Sequence, residues 1–81
     1  MIDDRKQAER LARAIISDIR LYNEDKIASL KKAASFEQAL AALHDELEEG
    51  RAIFDARAAP ALRPVFDEMV KNELGAMWLG G

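Results

Sequence analysis

The stretch "RLARAIISDIRLYN", residues 10–23, decides the fold because its apolar residues recur at helical spacing. On a helix they cover an arc of roughly 220°, whereas contact with one neighbouring helix needs little more than 100°. We therefore predict a first helix from Asp3 to Tyr22 that ends at Asn23 and is covered by two separate surfaces. The apolar positions that make up this arc are Leu11, Ala12, Ala14, Ile15, Ile16, Ile19, Leu21 and Tyr22.

The length and composition of the chain indicate one small helical domain. Its 81 residues allow a single domain, residues 1–81, and a chain this short buries only roughly 60% of the surface that its unfolded form exposes. Association is a common way to stabilise such a domain. Charged residues at 33% and an alanine-rich hydrophobic fraction of 49% favour an all-α fold.

Two further helices and a connector follow the first helix. Ile27 and Leu30 are expected to hold the connector, residues 24–34, against the core. The sequence "SFEQ" predicts a capping box between Ser35 and Gln38 at the start of a second long helix. Apolar residues then recur in heptad steps and form a seam that lies against a partner helix. The seam positions are Phe36, Leu40, Leu43, Leu47, Gly50 and Phe54.

The last part of the chain predicts a closing helix. Pro60 ends the second helix, and Pro64 suits the first turn of the third. The third helix has apolar residues at helical spacing up to Trp78, and Gly75 weakens its end. The predicted architecture is thus two long antiparallel helices, a short connector and a closing C-terminal helix, completed by dimerisation into a helical bundle.

Gly50 and Asp18 are the two residues that break their local patterns. A glycine inside a helix costs ~1 kcal/mol relative to alanine, so we expect the backbone of another helix to approach closely at Gly50; a tolerated kink is the alternative. Asp18 lies within the apolar arc of the first helix, and a lone buried carboxylate is costly. Arg51 is the predicted partner in a buried pair and Arg57 the reserve, unless Asp18 reaches solvent at the edge of a groove.

The sequence offers little that indicates catalysis or metal binding. The chain has no cysteine, which excludes disulfides and thiolate chemistry. His44 and Glu48 share a helix face, but this single histidine lacks the preceding glutamate of a ferritin-like di-iron helix, because position 41 is alanine. The glycines form no phosphate-binding loop. We expect no enzyme activity, no cofactor and no metal.

The charge and hydropathy of the sequence limit the classes of partner that the chain is expected to bind and the location expected for it. Residues 1–35 carry a net charge of +2 and residues 36–81 a net charge of −5. This distribution disfavours nucleic acid and permits head-to-tail or antiparallel pairing between subunits. No apolar run is long enough to span a bilayer, and Asp18 disfavours insertion of the first helix into a membrane surface. The start "MIDDRKQAER" lacks the apolar core of a signal peptide, so the expected location is the cytoplasm.

The segments "RLARAIISDIRLYN" and "LHDELEEGRAIFDAR" resemble a helical module of many bacterial, largely uncharacterised proteins. In that module the first motif is followed by an acidic helix with Glu-Gly-Arg and an aromatic residue, matched here by residues 49–51 and Phe54. The module often follows a zinc ribbon, a forkhead-associated domain or a region similar to a nucleotide-exchange factor. The resemblance implies a helical association module and no catalytic activity.

These observations predict a non-enzymatic module that self-associates as a homodimer. The expected interface residues share the apolar arc or the C-terminal segment: Leu11, Ala12, Ile15, Ile16, Ile19, Tyr22 and Trp78. The alternative is a small adaptor subunit that docks on a larger protein through the same arc and the C-terminal "MWLGG". Trp78 is the kind of residue that anchors such an interface.

Overall fold

The computed structural model describes residues 1–79, which are helical apart from turns and one isolated β-bridge. The all-α prediction is confirmed, but the division into three helices is wrong. The connector is itself a helix of ten residues, and the second and third predicted helices are each split in two. The described part of the chain contains α1 (Arg5–Tyr22), α2 (Glu24–Ala33), α3 (Phe36–Ala42), α4 (His44–Arg57), a 3₁₀-helix (Pro60–Leu62), α5 (Pro64–Glu73) and α6 (Gly75–Leu79).

Helix α1 ends where the sequence predicted and begins two residues later. The backbone N–H and the side-chain Nδ2 of Asn23 both donate to the carbonyl of Ile19, at 3.1 and 2.8 Å. The side-chain amide thus shares an acceptor with the backbone, which is why asparagine is common at helix boundaries. The carbonyl of Asn23 then accepts from the N–H of Ile27 at 2.8 Å and begins α2. Ile27 is buried and Leu30 half-buried, so these residues hold α2 on the core as expected.

Helix α1 is covered mainly by α5 and α4 of its own chain. This corrects the prediction that Ala12 and Ile16 contact a second molecule, because they are 0% and 1% exposed in the core of the single chain. The closing helix packs back onto α1, so one chain supplies both of the surfaces that cover this part of the arc. The buried residues of α1 are Ala8, Ala12, Ile15, Ile16 and Ile19.

Helices α3 and α4 carry the heptad seam, but they are not continuous. The capping box at Ser35 is present as predicted. At Leu43 the backbone has φ −99° and ψ 15°, outside the usual values of an α-helix, and the chain bends there. The four C-terminal seam residues are buried and the first two are half-buried. The seam is therefore the core-facing side of both helices.

The two halves of the chain are joined by ion pairs. Arg5 pairs with Glu68, and Arg13 Nε lies 2.9 Å from Glu73 Oε1, so both pairs join α1 to α5. Lys26 Nζ lies 2.9 Å from Glu46 Oε2 and joins α2 to α4. In each pair the cation belongs to the first half and the anion to the second. The excess of cations in the first half and of anions in the second half thus allows ion pairs within the chain.

Trp78 attaches α6 to the rest of the fold. Its Nε1 donates to the carbonyl of Ala34 at 3.0 Å, and its ring lies 5.6 Å from the ring of Phe36, centroid to centroid. The side chain is half-buried. Trp78 was predicted as an interface anchor, but its indole is already used by the fold. Gly80 and Gly81, the end of the predicted "MWLGG" contact segment, lie outside the described residues.

Substitution Trp78→Phe is expected to lower the free energy of unfolding by ~1 kcal/mol, the usual net value of one hydrogen bond. Phenylalanine retains an aromatic ring next to Phe36 but loses the N–H that donates to Ala34. Urea denaturation followed by circular dichroism measures the change. Leu79→Ala, at a neighbouring side chain that is 92% exposed, is the matched control and should unfold at the wild-type urea concentration. An unchanged midpoint for Trp78→Phe would contradict the assigned role.

Candidate functional site

A groove between α1 and α4 is the candidate functional site, and we call it the α1–α4 groove. The two helices are antiparallel, because Gly50 lies against Ile15 and Ile19 while Ala58, after α4, pairs with Ile2 before α1. The groove has an apolar floor and charged ends. Its lining residues are Leu11, Ala14, Ile15, Asp18, Ile19, Tyr22 and Asn23 on one side and Glu46, Glu49, Gly50, Ile53 and Arg57 on the other.

Gly50 sets how closely the two helices approach. A Cβ atom at this position would lie 2.8 Å from Ile15 Cγ2, 3.1 Å from Ile19 Cδ1 and 3.2 Å from Phe66 Cζ. The sequence predicted that the backbone of another helix approaches Gly50, but the nearest atoms from other elements belong to the side chains of Ile15, Ile19 and Phe66. Because the glycine has no side chain, Ile15 and Ile19 pack directly against the α4 backbone and form the floor of the groove.

Large apolar side chains remain exposed along the groove. Tyr22 is 83% exposed and Ile53 is 49% exposed, Leu11 is half-buried and Ala14 is exposed. Leu21, on the same side of α1 as Ala14, is 66% exposed. The side of the apolar arc that contains Leu11, Ala14, Leu21 and Tyr22 is therefore not fully covered by the chain. The opposite side, which contains Ala12 and Ile16, is buried.

Asp18 and Arg51 do not form a pair, so the predicted buried pair is wrong. Asp18 is exposed and lines both the α1–α4 groove and a neighbouring groove between α1 and α2. Its position on the ridge between them matches the alternative in which it reaches solvent. The reserve partner Arg57 is also exposed and lies towards the opposite end of the groove.

Arg51 connects α4 to α5 instead. Its Nη2 lies 2.6 Å from Asp67 Oδ1, its Nε lies 3.3 Å from Glu48 Oε1, and its guanidinium lies 5.5 Å from the centroid of the Phe66 ring. The hydrogen bond to Asp67 raises the pKa of Arg51. Consecutive helical residues point about 100° apart, so an arginine next to Gly50 points away from the face that meets α1.

The charges of the groove are separated along its length. The antiparallel course of α1 and α4 places Asp18, Glu46 and Glu49 towards the Tyr22 end of the groove and Arg57 towards the Leu11 end. The hydrogen bond from Lys26 lowers the pKa of Glu46 and keeps this carboxylate ionised. Asp18, Glu49 and Arg57 take part in no ion pair within residues 1–79. These three charged groups therefore remain available to a second molecule.

The part of the chain that the structure describes offers little support for a metal site or a membrane-spanning helix. His44 is exposed at the start of α4, and Glu48 on the same face accepts a hydrogen bond from Arg51. Among residues 1–79, no three His, Cys, Asp or Glu side chains are grouped so that they could hold a metal ion. Within the same residues, no helix has the length and apolar character needed to cross a membrane.

No protein-family model, curated protein or solved structure matches this chain. The resemblance to the bacterial helical module therefore stays a prediction from the sequence. The features of the structure that bear on function are the groove, its exposed apolar residues and its separated charges.

Proposed function

We propose that the chain is a non-enzymatic helical association module that forms a homodimer through the α1–α4 groove. The exposed apolar surface formed by Tyr22 and Ile53 along the groove is the observation that carries the proposal. Large exposed side chains that adjoin a groove are typical of protein contact sites. The residues that line the groove include no histidine, serine or cysteine, so its chemistry suits packing better than nucleophilic catalysis.

The free-energy cost of association requires a contact that buries more apolar surface than Tyr22 and Ile53 alone. Full burial of one large apolar side chain contributes ~1.5–3 kcal/mol, while association costs at least ~4 kcal/mol in lost rigid-body freedom. Tyr22 and Ile53 alone would barely offset that cost. Leu11 extends the surface along the groove, and a two-fold dimer buries every such residue twice. Symmetric pairing therefore doubles the apolar area that this small face contributes.

The proposal predicts the effect of placing a charge on the face. Ile53→Asp and Tyr22→Asp should each convert the dimer to a monomer of 9.0 kDa, the mass of one chain, because a carboxylate would be buried in the contact. The helix content should remain unchanged, since both side chains are exposed in the single chain. Size-exclusion chromatography with light scattering measures the mass, and circular dichroism measures the helix content.

The matched control is Leu79→Asp, which adds the same charge at an exposed apolar residue outside the groove. This variant should keep the dimer mass. If it dissociates the dimer while Ile53→Asp does not, the contact lies at the C-terminal end and the assignment of the groove is wrong.

The second candidate is an adaptor subunit that docks on a different and larger protein. The 92% exposed Leu79 in the C-terminal segment favours it, because the homodimer through the groove leaves this residue without a role. A stable monomer of wild-type protein at micromolar concentration would favour the adaptor. Either candidate fits a cytoplasmic protein, since a chain without cysteine needs no oxidising compartment for its stability.

A further inference from the structure

Three residues of α4 form a charge pattern along the groove, with opposite charges at equal distances from a central apolar residue. Glu49, Ile53 and Arg57 follow one another at intervals of four residues, so they lie along one side of the helix. All three line the α1–α4 groove and are exposed. An acid, an apolar residue and a base thus succeed one another along the helix, with the apolar residue at the centre.

This pattern is complementary to itself only when two copies are antiparallel. We propose that a second copy of the chain docks on the α1–α4 groove about a two-fold axis that passes beside Ile53. Glu49 of each copy then faces the partner subunit's Arg57, and the two isoleucines meet at the axis. A parallel arrangement would instead place like charges together. The inference rests on the proposed homodimer and specifies its contact.

Helix α1 adds to the same charge pattern. Gly50 contacts Ile15 and Ile19, so the antiparallel course of α1 and α4 places Asp18 beside the Glu49 end of the groove. The acidic end therefore holds two carboxylates that form no ion pair within residues 1–79, while Arg57 is at the other end. The same two-fold axis brings both carboxylates towards the partner subunit's Arg57. The aspartate in the apolar arc is then used at the rim of the contact.

A cysteine at the axis tests the geometry. The natural sequence contains no cysteine, so in Ile53→Cys the only thiols are the two at the proposed axis. A disulfide requires Cα atoms within ~7 Å, and a residue beside a two-fold axis meets its own copy at such a distance. Mild oxidation should convert most of this variant to a covalent dimer on a non-reducing gel.

The control for the cross-link is Ser29→Cys, which places a thiol at an exposed position of α2 outside the groove. Under the same oxidation this variant should remain mostly monomeric on the gel. Equal cross-linking of the two variants would mean that random collisions produce the covalent dimer. That result, or no cross-link in Ile53→Cys, overturns the proposed axis.

Charge reversal tests the pairing independently. Glu49→Arg and Arg57→Glu should each weaken the dimer about tenfold or more, because two favourable ion pairs per dimer become repulsive. The double variant Glu49→Arg/Arg57→Glu restores opposite charges between positions 49 and 57 across the axis, so it should dimerise more tightly than either single variant. Recovery should be incomplete, because Asp18 then faces an acid at position 57 of the partner subunit. Lys71→Glu, at an exposed position on α5 outside the groove, is the control and should leave the constant unchanged.

The outcomes separate this inference from the proposed function. If wild-type protein is a dimer but the double variant is no tighter than the single variants, the homodimer stands and the antiparallel pairing is wrong. If wild-type protein is a monomer throughout the concentration range, both are wrong. Recovery in the double variant together with a specific cross-link at residue 53 supports both.

Discussion

Ile16→Glu is expected to unfold the chain rather than dissociate an intact subunit. Ile16 is 1% exposed, and among residues 1–79 no polar or charged residue is buried with it. A carboxylate at this position would have no partner. An unpaired buried charge costs ~3–5 kcal/mol, and the lost packing of the isoleucine adds ~2 kcal/mol or more. A domain of this size has a net stability at the low end of ~5–15 kcal/mol. The variant should therefore lose most of its helical circular dichroism at neutral pH and 25 °C.

Ser17→Glu is the matched control for this substitution. Residue 17 is the next residue of α1 and is exposed, so the same new charge should leave the helix content and the urea midpoint close to wild type. A folded, monomeric Ile16→Glu chain would contradict the fold described above. It would mean that Ile16 faces a second molecule instead of the core of its own chain.

Gly50→Leu is expected to lower the free energy of unfolding by ~3 kcal/mol, at the upper end of the usual cost of overpacking. Even a Cβ at this position would lie 2.8 Å from Ile15 Cγ2, and isoleucine cannot easily move that methyl group because its χ1 angle is restricted in a helix. The isobutyl group of leucine would force α1 and α4 apart. Urea denaturation measures the loss.

Two further variants show whether the space at Gly50 is the cause. Ala52→Leu introduces the same side chain at an exposed position two residues away and should change the stability by less than ~0.5 kcal/mol. The double variant Gly50→Ala/Ile15→Ala should lose less free energy of unfolding than the sum of the losses in the two single variants. The reason is that Ile15→Ala removes the methyl group that the new Cβ at residue 50 would contact. Additive effects would show that Ile15 does not limit the space.

The sequence predicted the ends of several helices because these depend on local chemistry. Asn23 and the capping box at Ser35 act through their own hydrogen bonds. Pro64 at the start of α5 acts through its fixed φ angle and its missing N–H. The buried side of α4 also followed from periodicity, since the seam residues from Leu43 to Phe54 face the core. Local signals of this kind are visible in a single sequence.

The break at Leu43 could not be predicted in this way, because leucine is a good helix former. The break at Leu74 did have a local signal, because it is followed by Gly75, which was expected to weaken the third helix. Hydrogen bonds continue across both sites, from Leu43 N–H to the carbonyl of Ala39 and from Leu74 N–H to that of Val70. The breaks allow Leu43 and Leu74 to remain buried in one core, which is a result of packing between distant segments.

The candidate site was predicted only in part for a similar reason. The apolar arc of α1 was correctly judged too wide for one neighbour, and Tyr22 and Leu11 do lie on its uncovered side. The arc alone does not indicate which side the chain itself covers, so Ile16 and Ala12 were placed on the wrong surface. Ile53 was missed because it lies outside the heptad seam. Its spacing from Glu49 and Arg57 was the available signal.

Sedimentation equilibrium of the wild-type protein tests the central claim, self-association through the α1–α4 groove, most directly when it is compared with Ile53→Asp. We expect the wild-type mass to rise with concentration towards twice 9.0 kDa, while the variant remains at the mass of one chain throughout. A wild-type mass of 9.0 kDa at every concentration, or an Ile53→Asp variant that associates as strongly as wild type, would contradict it.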